Sequence, residues 1–80
     1  MRFSDTEIIL AKFFVEREGE GVLVEIRNID LIEAGIIDSL DLVSLAVFIE
    51  QEFGKKIDLM NPATMLAVRR FDSLVAIIGG

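Results

Sequence analysis

Few side chains of this chain can do covalent chemistry. Its 80 residues include no His and no Cys, which removes imidazole bases, thiol nucleophiles and the usual zinc-ligand sets. Hydroxyls, Lys amines and carboxylates remain. Ser39 is distinguished by its setting: Asp38-Ser39-Leu40 lies mid-chain, directly before an apolar run with acidic residues along it. Asp or Ser in such a place ordinarily caps a helix. A serine at a helix start is also exposed, with free N–H groups nearby, and the helix dipole favours a phosphodiester on its hydroxyl. The two roles are compatible, since Asp38 can cap while Ser39 carries a phosphate-linked group. As catalytic nucleophiles, Ser39, Ser44 and Ser73 would have only Lys or carboxylates to activate them, and so small a fold rarely encloses a pocket. The expectation is a protein that is not an enzyme, with no catalytic residue and no metal site.

Charge narrows the partners. The six acids Asp30, Glu33, Asp38, Asp41, Glu50 and Glu52 lie between Arg27 and Lys55 with no base among them, and they equal the net charge of -6. Such a field repels nucleic acid and anionic membrane and attracts basic protein surfaces. Packed together, the six are expected to repel one another and to raise their folded pKa values. Stability would then grow on mild acidification and with divalent cations.

The elements that must position Ser39 are readable from periodicity and caps. Ser4 with Glu7 three residues later predicts a capping box, and Phe3 is placed to staple onto Ile8. Ile8, Ala11, Phe14 and Val15 at helical spacing predict helix one over residues 5 to 18. From 19 to 38 the alternation of Val22, Val24 and Ile26 admits a short strand, but no second strand exists to pair with it. An ordered loop pinned by Val24, Ile26, Leu31, Ile32 and Ile37, turning at Gly35, is expected instead; a loop this long is often functional. Helix two starts at Asp38 or Ser39 and runs to Phe53, with Gly54 as C-cap. Leu45, Ile49 and Phe53 form its buried stripe beside Leu42 and Ala46, leaving Asp41, Ser44, Gln51 and Glu52 for the outer side. Asn61-Pro62 starts a short helix through Val68. Asp72 caps a last helix carrying Leu74, Ile77 and Ile78, stopped by Gly79-Gly80. The whole is one all-α domain over 1–80, a four-helix bundle with three longer helices, a short third one and a long first loop.

The hydrophobic content of 52% raises the question of a membrane. The longest apolar stretch, Leu42 to Ile49, has eight residues including Ser44, against the roughly 20 a spanning helix needs. Acidic residues near the start argue against a signal peptide. A cytoplasmic monomer without a membrane span is expected.

Glu33-Ala34-Gly35-Ile36-Ile37-Asp38-Ser39-Leu40 resembles the prosthetic-group site of the acyl and peptidyl carrier proteins. The likeness continues through Leu45 to Phe53, which resembles that family's acidic second helix, through Ile57, and through Phe71-Asp72-Ser73-Leu74 with Ile77. It spans nearly the whole chain. The resemblance implies 4′-phosphopantetheine, taken from coenzyme A by a phosphopantetheinyl transferase and esterified to Ser39, with Asp38 and Leu40 completing the site. It implies acyl or aminoacyl groups held as thioesters and passed between a loading enzyme and downstream transferases or synthases with basic docking surfaces. Asp38, Leu40, Asp41, Val47, Glu50 and Glu52 are the docking residues it points to. Ser44 stands where fatty-acid carriers usually place a glutamate, and Gly-Ile-Ile before Asp38 is more like the stand-alone aminoacyl and specialised acyl carriers. Phe48 is bulkier than the residue often found there, and facing inward it would reduce room for a sequestered chain. The alternative is an acidic helical interaction module that is never modified.

Overall fold

A computed structural model describes residues 3–79, and in it Ser4 opens the first helix as the sequence predicts. Helix α1 spans Asp5–Glu18. The Ser4 hydroxyl accepts the Glu7 N–H at 3.2 Å, and the Glu7 carboxylate accepts the Ser4 N–H at 2.8 Å. The apolar face differs from the expected stripe. Leu10, Ala11, Phe13 and Phe14 are buried, Val15 is half-buried, and Ile8 is 49% exposed. The reason is that α1 serves more than one neighbour. Phe13 packs on Phe48 with ring centroids 5.4 Å apart, while Phe14 meets Phe71 edge-on at 6.1 Å. Consecutive residues point roughly 100° apart on a helix, so adjacent phenylalanines reach different partners. Phe3 lies edge-on to Phe71 at 6.3 Å, with the Arg27 guanidinium 4.2 Å from its ring.

The segment after α1 is neither a strand nor wholly a loop. Gly19 ends the helix, and Glu20–Val24 form a 3-10 helix. Its period near three replaces the alternation that suggested a strand. Val22 and Ile26 turn inward, whereas Val24 is 85% exposed and pins nothing. Leu31, Ile36 and Ile37 are the other anchors, with Ile32 only half-buried. Asp30 organises the turn, accepting the N–H groups of Ile32 and Glu33 at 3.0 Å each. Gly35 follows with a positive φ of 78° that suits glycine. The Ile36 and Ile37 N–H groups both donate to the Leu31 carbonyl at 3.0 Å, which fixes the residue before Asp38.

Helix α2 spans Ser39–Phe53 and ends at Gly54, whose left-handed φ of 68° lets its N–H reach the Glu50 carbonyl. Leu42, Leu45 and Ile49 are buried, with Ala46 and Phe53 half-buried beside them. Helix α3 spans Pro62–Ala67, capped by Asn61, whose side chain accepts the Ala63 N–H at 2.8 Å. Helix α4 spans Phe71–Ile78 and starts earlier than predicted. Asp72 is an exposed residue of its first turn and not the cap, a position held by Arg70. Burial decides this: Phe71 and Leu74 are fully enclosed, and a helix starting at Phe71 puts both on one face with Ile78. Ile77 is 39% exposed and contributes less than expected. Gly79 has the left-handed φ of 107° expected of a stop, and Gly80 lies outside the described residues.

The described residues form an all-helical bundle without strands, and its buried side chains make one core. The junction of α3 and α4 holds the long loop. The Leu31 N–H donates to the Arg69 carbonyl at 2.7 Å, Arg69 Nε to Asp30 at 2.8 Å, and Arg70 to the Arg27 carbonyl at 3.3 Å. At the other side, Arg27 binds both carboxylate oxygens of Glu7. Among the described residues no helix is long and apolar enough to cross a membrane.

Candidate functional site at the start of helix α2

Asp38 is the N-cap of α2. Its Oδ1 accepts the Leu40 N–H at 3.0 Å and the Asp41 N–H at 2.9 Å, while Asp41 Oδ2 accepts the Asp38 N–H at 3.0 Å. The cap closes without the Ser39 side chain. Ser39 is the first helical residue and is exposed. One expectation is corrected here. The Leu40 and Asp41 N–H groups do not remain free for an anion, because Asp38 occupies them. The Asp38 carboxylate thus already holds two of the N–H groups that an anion at this helix start would use.

Tertiary structure also changes the charge pattern. Arg17, from the last turn of α1, pairs with Asp41, and Arg69 pairs with Asp30. The expected mutual repulsion is overturned for Asp30 and Asp38, whose pKa values are lowered. Backbone hydrogen bonding from Asp41 is the main cause for Asp38, with Arg17 adding a smaller attraction. For Asp30 the Glu33 N–H acts first and Arg69 next. Glu7 is lowered too, by the Ser4 N–H and then by Arg27. Repulsion fails as a guide because backbone donors and cations distant in sequence reach these carboxylates.

The sign of the pH dependence follows. A carboxylate whose folded pKa lies below its unfolded value adds stability above the unfolded value, and that stability is lost as pH falls through the folded one. The ordinary values are 3.8 for Asp30 and Asp38 and 4.5 for Glu7. The melting temperature is therefore expected to be nearly flat from about pH 7 to 5 and to fall below about pH 4. Thermal melts across that range check it. A melting temperature that climbs steadily toward pH 4 would restore the repulsion argument.

The remaining predicted docking residues divide. Leu40 is 80% exposed and Val47 48%, and Glu50 and Glu52 are exposed on the same helix. Asp41 is only partly exposed and is engaged in the cap and with Arg17. Val43 went unrecognised in the sequence, yet it is 59% exposed and completes a stripe with Leu40 and Val47. The signal was present, since spacings of three and four residues share a helix face. Glu50 continues that face, whereas Glu52 falls toward the side of Asp41. Ser44 is exposed. Phe48 does face inward, onto Phe13. Three surface cavities, of about 390, 240 and 190 Å³, lie around α1, the 3-10 helix and the loop, and Ser39 lines none of the three. Compared with protein-family models, curated proteins and solved structures, the chain matches none of them.

Proposed function

We propose that this chain is a carrier protein that holds acyl or aminoacyl groups on a 4′-phosphopantetheine arm at Ser39 and presents them to partner enzymes. The observation that carries the reading is the division of labour at the helix start. Asp38 satisfies the cap, so the Ser39 hydroxyl is exposed and spare. Joined to Ser39 Oγ, the arm would supply the thiol that the polypeptide lacks and, on it, a thioester that keeps a carboxyl group activated. The chain's own residues hold the attachment point rigid and offer a surface beside it. Leu40, Val43 and Val47 give that surface an apolar stripe, Asp38 and Glu50 give it negative charge, and Glu52 adds charge on the Asp41 side of the helix. Such a surface suits fast, reversible docking to basic partners. The compatible cargoes are fatty acyl, polyketide, amino acid and cell-envelope intermediates, and the expected setting is the cytoplasm.

Incubation with coenzyme A and a broad-specificity phosphopantetheinyl transferase tests the reading by intact mass. One phosphopantetheinyl adduct, mapped to the peptide containing Ser39, is the expected result. The same stripe and charge would serve an unmodified interaction module, and a chain that takes no adduct would favour that alternative.

Docking charge has its own test. Glu50→Lys with Glu52→Lys is expected to slow modification several-fold while leaving the fold intact, since neither residue belongs to the Asp38–Asp41 cap. The wild-type rate should fall with added salt, because screening acts over about 8 Å at 0.15 M. A rate indifferent to salt and equal in the double variant would make these carboxylates a solvated face only.

A further inference from the structure

Arg17 lies 22 residues before Ser39 in sequence, yet it reaches the start of α2. It belongs to the last turn of α1, where the helix dipole favours a cation. Its guanidinium carbon lies 4.5 Å from the centre of the Phe13 ring. That ring is itself fixed, 5.3 Å from Phe14 and 5.4 Å from Phe48 of α2. The guanidinium donates to Asp41 Oδ1, and the other oxygen of Asp41 accepts the Asp38 N–H. Each Asp41 oxygen therefore has a separate task, one toward α1 and one toward the cap. A continuous set of contacts runs from Phe48 through Phe13, Arg17 and Asp41 to Asp38. Asp38 and Asp41 bracket Ser39.

We propose that Arg17 is a positioning residue for the modification of Ser39, holding the Asp38–Asp41 cap closed and offsetting the charge of Asp41 in the helix turn that bears the serine. The inference rests on the carrier reading. Without Arg17, the Asp41 carboxylate would lose the partner that orients it and would present an uncompensated negative charge to an incoming anionic donor. Basic partners would still be attracted, and more strongly, by the exposed carboxylate. Orientation and docking thus respond in opposite directions, which separates this role from a general loss of fold.

Arg17→Met keeps an unbranched apolar stem beside Phe13 and removes both the charge and the planar fork. Arg17→Lys keeps the charge without the fork. Amide hydrogen exchange at Asp38, whose N–H is held by the Asp41 carboxylate, reads the bond that Arg17 supports, and exchange at Leu40 and Asp41 reads the other half of the cap, with buried Ile49 of α2 as the internal reference. In Arg17→Met, exchange at Asp38 is expected to rise roughly two- to fivefold relative to Ile49, the scale of a partly exposed ion pair, with Leu40 and Asp41 following as the cap loosens. The kcat of modification with coenzyme A and a broad-specificity transferase should fall by at least that factor. The KM for the carrier should hold or drop, and Arg17→Lys should lie between the two. Unchanged exchange in Arg17→Met overturns the positioning role whatever the kinetics. Changed exchange with wild-type kcat and KM overturns its importance for the reaction and leaves a structural contact. A wild type that takes no adduct overturns the carrier reading, while the exchange experiment still decides whether Arg17 holds the cap.

Discussion

Ser39→Ala is expected to abolish the phosphopantetheinyl mass gain completely and to leave the domain folded. The first effect follows from the chemistry, because alanine has no oxygen to form the phosphodiester. The second follows from the cap. Both N–H bonds that close the first turn end on Asp38, not on the Ser39 hydroxyl. Ser39 is exposed at the first helical position, where alanine is a good helix former. The melting temperature should stay within about 3 °C of wild type, as for most surface substitutions in a small domain. Asp38→Ala is the informative contrast. It keeps the hydroxyl and removes the cap, so the melting temperature should fall by roughly 4–8 °C and modification should slow without vanishing. An adduct surviving in Ser39→Ala would move the attachment to another hydroxyl, Ser44 or Ser73. A Ser39→Ala chain that unfolds would show that the hydroxyl holds the helix start, and the division of labour between the two residues would be wrong.

What the sequence made legible is the set of features whose causes are local. The Ser4–Glu7 capping box, Asp38 as cap with Ser39 behind it, Gly54 at a left-handed C-cap and Asn61-Pro62 at the third helix all act within four residues. Each was readable because the interacting groups are neighbours in the chain. The features that escaped are tertiary. Arg17 and Asp41 are 24 residues apart and Arg69 and Asp30 are 39 apart, so a count of charges along one segment saw only like charges. Phe13 was missed as core because a single stripe assumes one neighbour, and α1 has several. Asp72 looked like a cap by residue type, but enclosing Phe71 requires the helix to begin before it. Val24 shows the same limit. Alternation placed it with Val22 and Ile26, and a 3-10 turn rotates it into solvent.

Phe71→Ala is expected to cost most of the stability of the domain. Phe71 is fully buried and meets Phe3 and Phe14 edge-on, so one ring joins α4 to α1 and to the residue before the Ser4 cap. Removing a buried phenylalanine costs about 3–5 kcal/mol, and a domain this small stands near the lower end of the usual 5–15 kcal/mol. The melting temperature should therefore fall by about 15 °C or more, and a chain largely unfolded at 37 °C is within the expected range. Phe71→Leu fills much of the space and should lie between the two. Val43→Ala, on the exposed face of α2, should change stability little. The effect should also reach Ser39. Phe71 follows directly on Arg69-Arg70; Arg69 holds Leu31 and Asp30, Arg70 holds the Arg27 carbonyl, and the Leu31 carbonyl in turn holds Ile37 just before the cap. In Phe71→Leu, amide exchange at Leu31, Ile36 and Ile37 should rise together with that of Leu74, because one anchor serves both. Thermal melts and exchange on the three variants decide the matter. If Phe71→Ala melts within a few degrees of wild type, the ring cluster is not what ties the loop to the bundle, and the helix start at Ser39 must be held by α2 alone.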